Sequence, residues 1–177
     1  MVRLKRGGEL LWKWAKMVSA ANCRMPLKSM INTSTGEKRV IFIDTGAWIA
    51  LEDVNDRNHA EAVKFRDKLR NENERLITSS YVLDETYTFL LLHIGYEKTL
   101  LFHNRIQRMK LGGGVLEVFH ISEQTEEEGW VVFKRFNSDK KWSFTDCTSK
   151  VVMDSLRIHA VFTFDYHFEQ MGFARKP

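Results

Sequence analysis

Four acids in this sequence of 177 residues stand where a carboxylate is either a helix cap or part of a chemical site: Asp44, Glu85, Asp146 and Asp165. Asp44 ends the apolar run Val40-Ile41-Phe42-Ile43, and Asp165 ends a second, Ala160-Val161-Phe162-Thr163-Phe164. Unbroken apolar runs of β-formers suit strands covered on both faces, and such strands are usually the parallel ones of α/β folds. The two aspartates then share the carboxyl edge of one sheet, where the loops leaving the strands converge on ligands. Glu85 falls inside a long helical pattern, with Tyr81 and Val82 one turn before it and Thr88 and Phe89 one turn after, so that it is expected to be buried. Asp146 follows Ser143 at the spacing of a capping box. For Asp44 and Asp146 two readings stand side by side: a cap that complements the helix dipole, or a metal ligand. Taken together, four clustered carboxylates require cations. Hard oxygen donors with no paired His or Cys nearby select Mg²⁺ or Mn²⁺ over zinc.

The elements that must position these acids alternate along the chain. After the first apolar strand come helical patterns over 45–51 and 55–74, the latter with Ala62, Phe65 and Leu69 on its inward face. A short strand, 75–78, precedes a helix over 81–93 with Ser79 and Ser80 as caps and Gly95 as its stop. A basic amphipathic helix over 97–111 runs into Gly112-Gly113-Gly114, which has neither phosphate-loop signature and reads as a linker. A third strand over 115–121, a helix over 124–136 and a polar loop lead to a helix opened at Ser143 and running to about His159. The fourth strand and a short turn around Phe168 close the order. This predicts a three-layer α/β/α domain over 39–177 with a mainly parallel central sheet. The surplus of Phe89, Leu90, Leu91, Leu92, Leu100, Leu101 and Phe102 on two successive helices predicts an interface, with a second copy or a small partner.

Charge separates a head from a body. Residues 1–39 hold 9 Lys/Arg against 2 acids, so the formal net charge of +4 describes a basic arm on an acidic remainder and gives no ground for a basic nucleic-acid-binding body. The head, 1–38, reads as weakly ordered or partly helical. It suits an RNA- or partner-binding arm, an organelle-type targeting segment, or sequence upstream of a later start at Met17, Met25 or Met30. Its stretch 10–18 is too short and too charged for a signal peptide's apolar segment. Cys23 and Cys147 form no disulfide framework and no zinc spacing, which points to the cytoplasm. No apolar run approaches the roughly 18 residues of a membrane span.

The segments FIDTGAW, SSYVLDET, SFTDCTS and TFDYHFEQMGF, in that order, resemble the four acidic motifs of the PIN domain, and most closely those of VapC-like ribonuclease toxins of toxin–antitoxin pairs. The resemblance spans about 39–173 and is silent on the head. It implies a divalent-metal-dependent endoribonuclease that leaves a 5′-phosphate and a 3′-hydroxyl, with Mg²⁺ or Mn²⁺ held by Asp44, Glu85, Asp146 and Asp165 as catalytic and metal-binding acids. Thr45 and Thr145 are then neighbouring hydroxyls that orient water or phosphate. A small antitoxin and a homodimer are the implied partners. Because the site is itself anionic, surrounding bases must draw RNA in, and Arg57, Arg105, Arg108, Lys110, Lys140 and Lys141 are the candidates, with Trp142 and Tyr166 as possible base-stacking rings. Phosphoacceptor α/β domains need an acid two residues after the first or one before it. Gly46 and Phe42-Ile43 occupy those places and count against them. A PIN fold that only binds RNA or protein, and a DNA nuclease of related fold, are the remaining alternatives.

Overall fold

Strand β1 (Val40–Ile43) lies at the centre of a five-stranded sheet, because its side chains from Ile41 onward are buried and both its edges are paired. The computed structural model describes residues 39–112 and 114–177. The readings made of the basic head, and of Gly113 within the linker, lie outside the described residues. The chain order continues with α1 (Thr45–Glu52), α2 (His59–Asn71), β2 (Arg75–Ser79), α3 (Ser80–His93), α4 (Tyr96–Leu111), β3 (Leu116–Phe119), α5 (Glu123–Phe136), α6 (Phe144–Ser155), β4 (Ala160–Phe162), α7 (His167–Gln170) and β5 (Ala174–Lys176). The strands run in the spatial order β3-β2-β1-β4-β5, and every pairing is parallel. The expectation of a mainly parallel sheet is thus met in full, with helical crossovers flanking the sheet as parallel strands require.

One strand escaped the sequence pattern. Four strands were expected and β5 is a fifth, a three-residue edge strand, Ala174-Arg175-Lys176, exposed throughout. Short, charged edge strands resist further pairing and for that reason carry no apolar signal. Two helix ends also fall earlier than expected. In α2, Asn73 adopts φ 53° and the N–H of Glu74 reaches back to the carbonyl of Leu69; in α6, Arg157 adopts φ 55° and the N–H of Ile158 reaches back to Met153. Both are left-handed helix stops of the Schellman type, built without glycine. The start of α2 is delayed as well, since Asp53 and Asp56 accept the backbone N–H groups of Asn55 and Asn58 and divert the chain into turns.

Three contacts carry the core toward the sheet's carboxyl edge. Trp48 of α1 packs edge-on against Phe102 of α4, with centroids 5.6 Å apart, and its indole N–H donates to the Thr78 hydroxyl. That hydroxyl donates in turn to the carbonyl of Ile43 (2.8 Å), tying the ends of β1 and β2 together beneath Asp44. Trp142, proposed as a base stacker, is instead buried, and its indole donates to Gln170 of α7. The Asn137 side chain clips the Trp142 backbone through both N–H and C=O, at 2.7 Å each, and so fixes where α6 begins. On α3 and α4 the apolar surplus divides. Leu90 and Phe102 are fully buried in the domain's own core and Phe89 packs against it, whereas Leu91, Leu92, Leu100 and Leu101 are exposed together with Tyr96.

Candidate active site

The strand order reverses at β1, which pairs with β2 on one side and with β4 on the other, so the carboxyl ends of β1 and β4 flank the switch point of the sheet. Loops diverge there and leave a crevice. Asp44 enters it from β1 and Asp165 from the loop after β4. Thr163 joins the two: its buried hydroxyl donates to Asp44 Oδ2 (2.8 Å) and accepts the N–H of Asp165 (3.0 Å). The same Oδ2 receives the N–H of Gly46 at 3.3 Å, so Asp44 does cap α1 while lying buried at the crevice. Asp146 likewise caps its helix from a buried position. Its Oδ2 accepts the N–H of Ser143 (2.8 Å) while its own N–H donates to the Ser143 hydroxyl (2.9 Å), completing the capping box at a buried position. Capping and site membership are therefore not alternatives here. A carboxylate has about four lone-pair positions, and these bonds occupy one oxygen.

Glu85 departs from expectation. It is exposed, because the buried stripe of α3 runs through Val82, Leu83, Thr86 and Leu90, and Glu85 stands roughly 110° round the helix from the middle of that stripe at about 100° per residue. It joins the site from the flank, where its Oε2 accepts the Thr45 hydroxyl at 2.8 Å. The Thr45 hydroxyl, expected to orient water or phosphate, is directed at Glu85. Thr145 is half-buried in the first turn of α6, where its carbonyl accepts the Thr148 hydroxyl.

Burial and neighbouring like charges disfavour the ionised form of the acids here. Burial, reinforced by the Asp146 charge, raises the Asp44 carboxyl to about 7, against the hydrogen bonds from Thr163 and the backbone that favour its ionised form. Burial likewise raises Asp146, with Asp165 adding to the rise and the Ser143 bonds and His167 opposing it. Next to it, burial and the Asp146 charge push the Cys147 thiol up to about 11, so this cysteine is an inert part of the core.

His167 is the residue that sequence reasoning missed, and it corrects the statement that no His accompanies the acids. Its backbone N–H donates to Asp165 Oδ1 (2.8 Å), and its Nδ1 lies 3.3 Å from Asp165 Oδ2 and 3.7 Å from Asp146 Oδ2. The available signal was its place two residues after the acid, the spacing of a turn closed by an aspartate side chain. The donor set fits a divalent cation. Carboxylate oxygens of Asp146 and Asp165 converge with His167 Nδ1 to within 4.8 Å of one another, Asp44 and Glu85 lying outside that group; among the described residues no Lys or Arg is paired with any of the four acids, and Nδ1 of His167 is buried without a hydrogen-bond partner.

The proposed RNA-binding bases are scattered. Arg105 is hydrogen-bonded to Glu52, and with Arg108 it lines a cavity of about 1020 Å³ between α1, α2 and α4 whose lining includes none of the four acids. Arg57 and Lys110 are exposed, Lys140 pairs with Asp139 at 3.1 Å, and Lys141 sits exposed at φ 60° shortly before Ser143. Tyr166 is exposed directly beside Asp165.

A family model described as the PIN domain matches residues 41–174. The chain belongs to the PIN-domain family. It is 30% identical over 134 residues to the 23S rRNA-specific endonuclease VapC20 of Mycobacterium tuberculosis, covering 76% of this chain and 95% of that protein. It is 28% identical over 128 residues to a VapC ribonuclease of Archaeoglobus fulgidus, covering 72% of this chain and 78% of the relative. The crystal structure of VapC20, described as a sarcin–ricin-loop-cleaving toxin, superimposes with a TM-score of 0.64 over 76% of this chain and 96% of that one. FitAcB from Neisseria gonorrhoeae, at 16% identity and a TM-score of 0.55, shares the fold. This PIN domain is accordingly a nuclease homologous to VapC endonucleases, the toxins of toxin–antitoxin systems, and metal dependence is the general property of PIN nucleases.

Proposed function

We propose that the protein hydrolyses RNA phosphodiester bonds at the crevice formed by Asp44, Glu85, Asp146 and Asp165, as the toxin of a toxin–antitoxin pair acting in the cytoplasm. The observation that carries the assignment of the site is the convergence of Asp44, Asp146 and Asp165 at the sheet's switch point, with Glu85 tied in through Thr45. The acids would hold Mg²⁺ or Mn²⁺, which when bound activates water at neutral pH and neutralises charge on the phosphoryl group. The chain's own residues do the positioning. Thr163 sets the spacing between Asp44 and Asp165, the Ser143 backbone orients Asp146, and Thr45 holds Glu85 toward the crevice. In the reaction water attacks phosphorus, the bond from phosphorus to O3′ breaks, and the products carry a 5′-phosphate and a 3′-hydroxyl.

Partners follow the same reading. The exposed Leu91, Leu92, Tyr96, Leu100 and Leu101 support a homodimer through α3 and α4, and a small antitoxin is the expected regulator. Among the described residues no helix is long and apolar enough to cross a membrane. The test is incubation of the purified chain with Mg²⁺ or Mn²⁺ and 23S rRNA, the substrate class named for VapC20, beside unrelated RNA and DNA of matching sequence. Metal-dependent cutting of RNA with 5′-phosphate ends, lost on chelation and in Asp44→Asn, is the expected result. RNA left intact with either metal overturns the proposal.

A further inference from the structure

We propose that Nδ1 of His167 is a direct ligand of the cation held by Asp146 and Asp165, giving the site a mixed nitrogen and oxygen donor set that shifts its preference from Mg²⁺ toward Mn²⁺. The inference rests on the metal site proposed above and goes beyond its four acids.

Three observations carry it. Ligand atoms of Asp146, Asp165 and His167 all lie within 4.8 Å of one another. Metal–ligand bonds of about 2.1 Å at angles between roughly 90° and 110° place donors sharing one ion about 3 to 3.5 Å apart; the contact of Nδ1 to Asp165 Oδ2, at 3.3 Å, falls inside that range, and the contact to Asp146 Oδ2, at 3.7 Å, lies slightly beyond it. Finally, Nδ1 is buried and has no hydrogen-bond partner among the described residues, although the His167 side chain as a whole is 31% exposed. The exposure therefore belongs to other atoms of the ring, and the lone nitrogen turned inward points at the carboxylates.

The local structure explains how the ring is held there. The His167 N–H closes a turn onto Asp165 Oδ1, which leaves Oδ2 of the same carboxylate facing the ring. Phe168, the next residue, is fully buried and anchors α7. Ligation requires a lone pair on Nδ1 and places the ring proton on Nε2. Imidazole nitrogen suits transition ions, whereas Mg²⁺ is bound through oxygen and gives up its waters reluctantly, so a nitrogen in the set discriminates between the two.

The experiment uses the full chain and Mn²⁺ alone, without RNA. Pulsed electron paramagnetic resonance of bound Mn²⁺ is recorded on protein carrying ordinary histidine and on protein in which only histidine is labelled with ¹⁵N. A nitrogen coupling that changes with the label is expected, and it should vanish in His167→Gln. Competition between Mn²⁺ and Mg²⁺ should show the variant losing about tenfold of its preference for Mn²⁺, the lower range for removing a group that supports a metal site. Mn²⁺ that binds both proteins alike with no label-sensitive coupling overturns the role of His167 and leaves the acid site standing. No Mn²⁺ binding by either protein overturns the site as well. The wild-type label experiment decides the matter even if the variant fails to fold.

Discussion

Two regions of this domain bury acids and treat them in opposite ways. Beside the cavity between α1, α2 and α4, Glu52 is matched by Arg105, and nearby the buried Glu74 is matched by Arg39 at 2.8 Å. At the switch point, Asp44 and Asp146 are buried with Asp165 beside them, and His167 is the sole basic group paired with them among the described residues. Where the fold needs only stability it supplies an arginine for each buried acid, as buried charges require. Where it leaves acids beside one another without an arginine, the charge is left for the proposed cation to balance, and perturbed acids grouped together are a mark of function.

The sharpest break of this contrast is Asp146→Asn. The amide keeps an acceptor for the Ser143 N–H and leaves the other half of the capping box untouched, so the helix start should survive. RNA cleavage is expected to fall by at least about a hundredfold. In chelator the variant should melt at or above the wild-type temperature, by about 1 kcal/mol of added stability, because a like charge is gone. Its gain from Mg²⁺ should shrink, since a ligand stabilises in proportion to its affinity for the native state. Cleavage at the wild-type rate would sink the four-acid site.

Arg105→Ala tests the other region. It strands Glu52 at a buried position, and the expected loss is about 1–3 kcal/mol, reduced from the fully buried case because the arginine is half exposed. At a temperature where the variant is folded, RNA cleavage and its salt dependence should remain those of wild type. A large loss of RNA affinity without loss of stability would restore Arg105 to the substrate path.

Acidity offers a subtler probe. The Asp44 carboxyl is raised from 3.8 to about 7, so between those values the native state binds more protons than the unfolded chain. Metal-free stability from this group is therefore greatest at low pH and declines as pH rises through the interval. Stabilisation by Mg²⁺ should grow over the same interval as the proton ceases to compete. Melts in chelator and in Mg²⁺ at about pH 5 and about pH 8 check both signs. The smallest effect is expected from removing residues 1–38: RNA cleavage should stay within about twofold, and a shallower salt dependence would instead show that the basic arm contacts phosphates.

What the sequence reveals follows from how local each signal is. Asp44 and Asp165 are legible because each ends a run of buried β-formers, and Asp146 because its capping partner is three residues away. The burial expected of Glu85 from its neighbours does not occur, since the core stripe of α3 passes to one side of it. β5 has no apolar residue pattern to read, and Asn73 and Arg157 stop helices from a left-handed conformation that glycine would have advertised. Thr163 meets Asp44 only through the fold, with 119 positions separating them, and His167 meets Asp146 in the same way although its contact with Asp165 is local.

The Asn137 clip has a consequence for how such a domain diversifies. By closing on both backbone groups of Trp142, it makes the intervening residues Ser138, Asp139, Lys140 and Lys141 a loop whose two ends are fixed independently of its contents. Trp142 passes the anchoring on to α7 through Gln170, and the first turn of α6 follows directly behind it. Substitutions, or even insertions, within 138–141 can therefore accumulate without displacing Asp146, because lengthening a surface loop adds little entropy of closure. The loop and the crevice are mechanically uncoupled at this point, so that the surface at 138–141 can change while the position of Asp146 is inherited intact.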